Sequence, residues 1–236
     1  MEVAHDPGTA RFGNFINYYS FNPPNNRLEL IGEDFLKFLE ADYSELDCIH
    51  CLDIGCNSGD LTTALYEKLS STVRVKFLGV ELDTTLVERC HASNRYPGEI
   101  SYQKADLTSA ADRQDVISEY LRKHAIDRFH VVCCFSVTMW VHLNNGDAIF
   151  REFLSYVAKL SLNLLLEPQP WKCYRNAVRR MKRSQCEPFE HFEKLQWRTE
   201  VEKCIEGFLT ENCAMDIKTS YGHTKWQRPV TWLCSK

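Results

Sequence analysis

Short apolar runs alternate with stretches of helical periodicity along most of the chain. The apolar runs predict strands at 49–54, 75–82, 100–105, 129–137, 160–167, 213–221 and 229–235. Between them, apolar residues recur at three- and four-residue intervals: Val116, Tyr120 and Leu121; Phe150, Phe153, Leu154 and Val157; Val201, Cys204, Ile205 and Phe208. This spacing predicts helices at 61–69, 84–94, 112–125, 147–159, 171–183 and 200–211. Strand–helix alternation on this scale means an α/β fold, a mostly parallel seven-stranded sheet with helices on both faces. No long helix separates the last two strands, so the last strand is expected to be antiparallel. Upstream, Leu30–Leu39 reads as a short amphipathic helix with Ile31, Phe35, Phe38 and Leu39 inward. Residues 1–31 are polar and aromatic with little periodicity. Their aromatic content argues for an ordered arm rather than a free tail, with Asn22-Pro-Pro as a loop.

Composition narrows this picture. A chain of 236 residues with 44% hydrophobic content has the core of one domain, 1–236, with the arm completing it. No apolar run is long enough to span a membrane, and the first residues lack a signal-peptide core, so no membrane association is expected. Eleven cysteines, an odd count scattered through apolar strands, suit buried thiols in a reducing compartment. A cytoplasmic location is expected, with the nucleus left open. Cys48-Ile-His-Cys51 has the spacing of half a zinc site, but no second pair follows it, so no metal is expected.

The most informative stretch is Cys51-Leu-Asp-Ile-Gly-Cys-Asn-Ser-Gly-Asp60, a strand, a tight turn and a helix start. Gly55 and Gly59 let a ligand approach the backbone, with Asn57 between them. Asp53 would repel a pyrophosphate but suits a cationic ligand, and the spacing lacks the G-x-G-x-x-G of a dinucleotide site. D-x-G-x-x-x-G resembles motif I of the S-adenosylmethionine (SAM) methyltransferases, although a β-turn-α without ligand has the same pattern. Glu81, at the next strand tip, is the candidate for the ribose hydroxyls, with Asp83 as the alternative. Asp106 and Leu107, after the third strand, are placed to meet an adenine edge, and Asp106 fits a helix N-cap equally well. Three acidic tips at successive strand ends point to a bound nucleoside.

Four further stretches carry a more specific resemblance. They are the arm around Asn14, Tyr18 and Tyr19; Ser136-Val-Thr-Met-Trp-Val-His-Leu-Asn144; Glu167-Pro-Gln-Pro-Trp-Lys-Cys-Tyr174; and Trp226-Gln-Arg-Pro229. Across residues 11–235 the chain resembles the bicoid-interacting type of RNA methyltransferase, which O-methylates phosphates at RNA 5′ ends. The resemblance implies a Rossmann-like class I SAM-dependent methyltransferase acting on RNA with a 5′ phosphate. The strings match the 5′-monophosphate branch best. The branch that caps the γ-phosphate of triphosphate RNA has lysine where this chain has Met139. Histidine transfer RNA and precursor microRNA are the substrates the family suggests, and a monomer is expected. Arg27 resembles the family arginine beside the SAM carboxylate. A 5′-monophosphate oxygen is already a nucleophile, with a second pKa near ~6. Catalysis would then rest on positioning by Tyr18, Tyr19, His142 and Asn144, with Gln169 as a further donor. His142, at a strand tip, could equally be a core histidine, and Trp140 and Trp171 fit the core as well as a stack on a terminal base.

Residues 171–183 hold six basic and no acidic residues, and with a whole-chain charge of −4 this leaves −10 elsewhere. On a helix, Lys172, Arg175, Arg179 and Lys182 would share one face, and Tyr174, Val178 and Met181 another. Concentrated positive charge is expected to bind RNA phosphates, joined by His223, Lys225 and Arg228 near the C-terminus. Two rivals stay open: a SAM methyltransferase of a small molecule or protein, and a catalytically silent RNA-binding protein on this fold.

Overall fold

A computed structural model describes residues 9–236. Its sheet has seven strands in the order β3-β2-β1-β4-β5-β7-β6. These are β1 (Ile49–Ile54), β2 (Val75–Glu81), β3 (Ile100–Lys104), β4 (Phe129–Phe135), β5 (Ser161–Glu167), β6 (Met215–His223) and β7 (Pro229–Ser235). The first five run parallel, while β7 lies antiparallel between β5 and β6. The strand order reverses where β1 meets β4, which opens a crevice at the carboxyl edge. The β6–β7 hairpin turns at that same edge. Thr224 and Arg228 close it with a 2.9 Å backbone bond, and Gln227 takes a positive φ of 64°. Lys225, Trp226 and Arg228 are thereby carried to the crevice.

The central strands are apolar on both faces because helices cover both. Leu52, Ile54, Leu78 and Val132 pack on one side with α7 (Glu119–His124), α8 (Thr138–Leu160), α9 (Trp171–Arg183) and α10 (Val201–Asn212). Cys51, Phe77, Val131 and Cys133 face α3 (Glu33–Tyr43), α4 (Asp60–Leu69) and α5 (Thr84–Ser93). Each fully buried Leu or Phe on these faces contributes about 1.5–3 kcal/mol of transfer free energy. Before α7 come α6 (Ala110–Asp112) and a π-helical stretch, Arg113–Ser118. No helix among the described residues is long and apolar enough to cross a membrane.

Three elements differ from expectation. The arm folds into α1 (Tyr18–Phe21) and α2 (Asn25–Leu30), beyond the loop expected at Asn22-Pro-Pro. Helix α3 starts at Glu33 rather than Leu30, because Gly32 sits extended as its N-cap; Ile31, Phe35 and Leu39 are buried as expected. The stretch between the expected strand 129–137 and the expected helix 147–159 is the first part of α8. Met139 and Leu143 are buried one turn apart, and the Asn144 and Asn145 amides bond back to the carbonyls four residues earlier. Only Gly146, at φ 74°, breaks the helix.

Candidate active site

Two cavities open at the carboxyl edge and meet at a seam. The first, about 1010 Å³, lies over the tips of β1, β2 and β3. Asp53, Gly55 and Asn57 line it from the first turn, Glu81 and Leu82 from the second, Ala105–Thr108 from the third. Ser136, Val137, Trp140, Val141 and Asn145 close it from α8 and its approach. Phe12, Gly13, Asn14, Tyr18, Tyr19 and Arg27 roof it from the arm.

Its acidic groups are held in different ways. Asp53 is buried and accepts a 2.6 Å bond from the Thr62 hydroxyl. Burial nevertheless pushes its carboxyl up to about 7, against the pull of Thr62 and Arg27. Such a carboxylate favours a cationic partner. Burial also raises Glu81, although its carboxylate accepts from the backbone N–H groups of Asn57, Leu82 and Asp83. The Asp106 carboxylate accepts from the backbone and hydroxyl of Thr108 in an Asx turn at the cavity wall; the following helix is capped by Ser109 instead. Gly55 has φ +69°, and a Cβ there would stand 2.6 Å from Val137 Cγ2. Only glycine fits that turn.

The second cavity, about 1220 Å³, is basic. Lys172, Arg180, Lys225 and Arg228 line it, with Asn22, Met139, Gln169, Asn176 and Trp226. Tyr18, Ser136 and Trp140 belong to both cavities. At the seam, Arg27 is fully buried; its Nε donates to Glu167 at 2.7 Å and its Nη2 to the Tyr18 hydroxyl (2.7 Å) and Ser136 Oγ (2.9 Å). Burial alone would lower the pKa of Arg27, but Tyr18 and Glu167 hold it above the ordinary arginine value. Arg228 Nη1 donates to Ser136 and to Tyr18 as well. Glu167 also accepts from Trp226 Nε1 at 2.7 Å. One buried carboxylate thus faces two guanidiniums, and among the described residues Arg27 Nη1 and Arg228 Nε have no hydrogen-bond partner. The seam is built to receive anions.

Several candidates lie elsewhere. His142 is fully buried in α8, with Nδ1 at 3.1 Å from the Tyr174 hydroxyl, Nε2 at 3.3 Å from Asp147, and its ring stacked on Phe150. Burial lowers its pKa despite Asp147, and it lines neither cavity; it is a core histidine. Asn144 spends both amide hydrogens on the carbonyls of Arg11 and Trp140, so it pins the arm and leaves no donor for a phosphate. Tyr19 faces the first cavity alone, donating to the Cys56 carbonyl at 3.3 Å. Asp83 caps α5 through Thr85 and Leu86 and takes a 2.6 Å bond from Asn14, which lowers its pKa; it does not line the cavity. Gly59 is walled off by the Tyr102 hydroxyl and starts α4. Gln169 is consumed as a brace, accepting from Thr138 and Met139 and donating to the Ser136 carbonyl. Trp171 stacks on Phe192. On α9, Lys172 reaches the basic cavity, but Arg175 does not; Arg180 takes that place, and Arg179 lies further along with Arg183. Tyr18, Arg27, Asp53, Gly55, Asn57, Glu81, Asp106, Leu107, Lys172, Lys225 and Arg228 do line the two cavities.

Sequence reasoning passed over Ser136, Trp226, Arg180 and Asn14. Ser136 follows the tip of β4 and could have been found by the strand-end rule that found Asp53 and Glu81. Asn14 lies in the arm that carries the resemblance, but only folding brings it to Asp83. Among the described residues no cluster of three or more His, Cys, Asp or Glu is arranged to hold a metal.

Comparison with known proteins identifies the family and the fold. Residues 129–235 match the family model for Bicoid-interacting protein 3 (Bin3). A Danio rerio protein described as pre-miRNA 5′-monophosphate methyltransferase is 42% identical over 97% of this chain and 94% of its own. The Bos taurus RNA 5′-monophosphate methyltransferase is 37% identical over 98% and 82%. Among solved structures, the DszA carbon methyltransferase aligns over 93% of this chain and 56% of its own, with a TM-score of 0.58 at 17% identity, a likeness of fold alone. That fold is the Rossmann-like class I arrangement of SAM-dependent methyltransferases. The chain belongs to the Bin3 family of methyltransferases, in the branch whose curated members are RNA 5′-monophosphate methyltransferases.

Proposed function

We propose that this enzyme O-methylates the 5′-monophosphate of RNA, with SAM as methyl donor. The observation that carries the reading is the meeting of an acidic nucleoside-sized cavity with a basic one across Tyr18, Ser136 and Trp140. The first cavity fits SAM on its own chemistry. The orphaned Arg27 Nη1 is a donor for a carboxylate, Asp53 a partner for an ammonium, and Glu81 an acceptor for ribose hydroxyls. SAM supplies a sulfonium-bound methyl group, an electrophile for an oxygen nucleophile.

The chain's own residues do the rest by positioning. Arg228, Lys225, Lys172 and Arg180 neutralise the phosphate and orient it at the seam. The Tyr18 oxygen accepts from Arg27 and Arg228, so its O–H is left to donate, and it faces both cavities. It is the group best placed to hold the acceptor oxygen without removing its charge. The buried Met139 adds no charge to this wall, which favours a monophosphate over a longer phosphate chain. The names of two relatives support precursor microRNA as the first RNA to try; the family resemblance of the sequence adds histidine transfer RNA. The enzyme is taken to work as a monomer in a reducing, cytoplasmic setting. The test is transfer of labelled methyl from SAM to one RNA bearing a 5′-monophosphate, a 5′-triphosphate or a 5′-hydroxyl. Transfer to the monophosphate form alone is expected; equal labelling of the hydroxyl form would move the reaction to a base or ribose.

A further inference from the structure

The basic cavity does not end at the phosphate site. A third depression continues from it along α9, lined by Asn176, Arg179, Arg180 and Arg183, and shares Asn176 and Arg180 with the second. The helix buries Tyr174, Ala177 and Met181, so the residues at 172, 176, 179, 180 and 183 fall together on the opposite side. Arg175 and Lys182 lie on the flank and line none of the three cavities.

Charge composition sets this strip apart. Several exposed cations elsewhere stand beside carboxylates of their own or a nearby turn: Arg122 by Glu119, Arg198 by Glu193, Lys203 by Glu200, Lys37 by Glu33. Among the described residues, no carboxylate pairs with Arg179 or Arg183, and no acidic residue occurs from 168 to 186. Arg180 packs over the Phe15 ring at 5.7 Å, which makes the arm one bank of the channel. A solvated helix face normally mixes signs, whereas a row of arginines beside a phosphate chamber, with no acidic residue in the helix or its flanks, is an anion track.

We infer that this strip is a backbone track for the phosphates that follow the 5′ end, so that the enzyme recognises a short leader strand rather than a lone terminal phosphate. The inference rests on the second cavity being the 5′-phosphate site. From Lys172 to Arg183 the helix rises roughly 16 Å. At 3.4 Å per stacked nucleotide, and up to twice that when extended, this spans about two to five nucleotides. Guanidiniums reading phosphates carry no base information, so recognition along the track is independent of sequence.

The test compares adenosine 5′-monophosphate with 5′-phosphorylated oligoadenylates of two to six nucleotides as methyl acceptors. KM is expected to fall by roughly ten- to a hundredfold, the yield of one or two charge-assisted contacts, and to level off at about four nucleotides. In the double variant Arg179→Ala/Arg183→Ala, the ratio of mononucleotide to tetranucleotide KM should collapse toward one. The log–log salt slope for the tetranucleotide should flatten by about one to two. The control, Arg175→Ala/Lys182→Ala, removes the same charge from the same helix and should keep the ratio; thermal melts establish that both variants are folded. A ratio that survives in the first variant, or falls equally in both, would overturn the track. Absence of methyl transfer to every 5′-phosphorylated acceptor would instead overturn the reading of the site, and the track with it.

Discussion

Asp53→Asn should make the empty protein more stable while removing its cofactor. Asp53 ionises at 3.8 in an ordinary setting and at about 7 in the fold, because burial outweighs its bond from Thr62. Between these values the unfolded chain releases the proton and the native one keeps it, so native stability falls as pH rises. At about 1.36 kcal/mol per unit, the loss approaches ~4 kcal/mol above pH 7. Asparagine carries no charge and still offers an oxygen to Thr62, so the variant avoids this loss. For a chain of this size, the gain corresponds to a Tm roughly 5–15 °C higher at pH 8. The gap should shrink to about 1 kcal/mol near pH 4.5 and close near the ordinary carboxylate value. Thermal melts of the SAM-free protein from pH 4.5 to 8.5 measure it, with isothermal titration of SAM at pH 8 alongside. SAM affinity should drop about ten- to a hundredfold, since a charged hydrogen bond is lost. A variant no more stable than the parent at pH 8, or a gap that ignores pH, would refute the claim that the carboxylate is held against its solvation.

Four further outcomes follow from the seam, the core and the turn after β1. Tyr18→Phe should cut kcat at least tenfold with Tm nearly unchanged, because Arg27 Nη2 keeps Ser136 as a partner. His142→Phe should keep kcat and lose about 1–3 kcal/mol of stability, as the buried Tyr174 hydroxyl loses its partner; a collapse of turnover in the folded variant would return His142 to the site. Glu167→Gln leaves two buried guanidiniums without a countercharge and should cost about 3–5 kcal/mol in urea denaturation. Gly55→Ala should weaken SAM binding and cost about 1–2 kcal/mol for its left-handed φ, and adding Val137→Ala should recover the steric part only, as calorimetry of the pair would show.

The sheet was legible because its strands are apolar on both faces, and the boundaries read from sequence agree with the observed strands to within two residues. The cofactor wall was legible for a related reason: Asp53, Glu81 and Asp106 each follow a strand, and strand ends in a parallel sheet converge. The phosphate side was harder. Its residues come from the arm, α8, α9 and the β6–β7 hairpin, and no local periodicity relates Tyr18 to Ser136 or Arg228. His142 misled because it follows an apolar strand and reads as a strand tip, whereas the chain passes directly into α8, where His142 is buried against Tyr174 and Phe150. Arg175 misled because a run of cations fixes the charge of a helix but not which flank meets a groove.

The roof over the first cavity bears on how the enzyme comes to be assembled. Thr9 meets Ser184, Arg11 meets the carbonyls of Glu187 and Pro188, Asn14 meets Asp83, and the Asn57 amide meets the Phe15 carbonyl. Several of these partners lie more than 170 residues away, so the arm's docking surface is completed long after the arm itself has been made. Loop-closure entropy makes such contacts late events in folding. A nascent or partly folded chain can therefore complete its sheet and helices while the catalytic chamber stands open, and methylation competence should appear only in the final phase, after the bulk of secondary structure has formed.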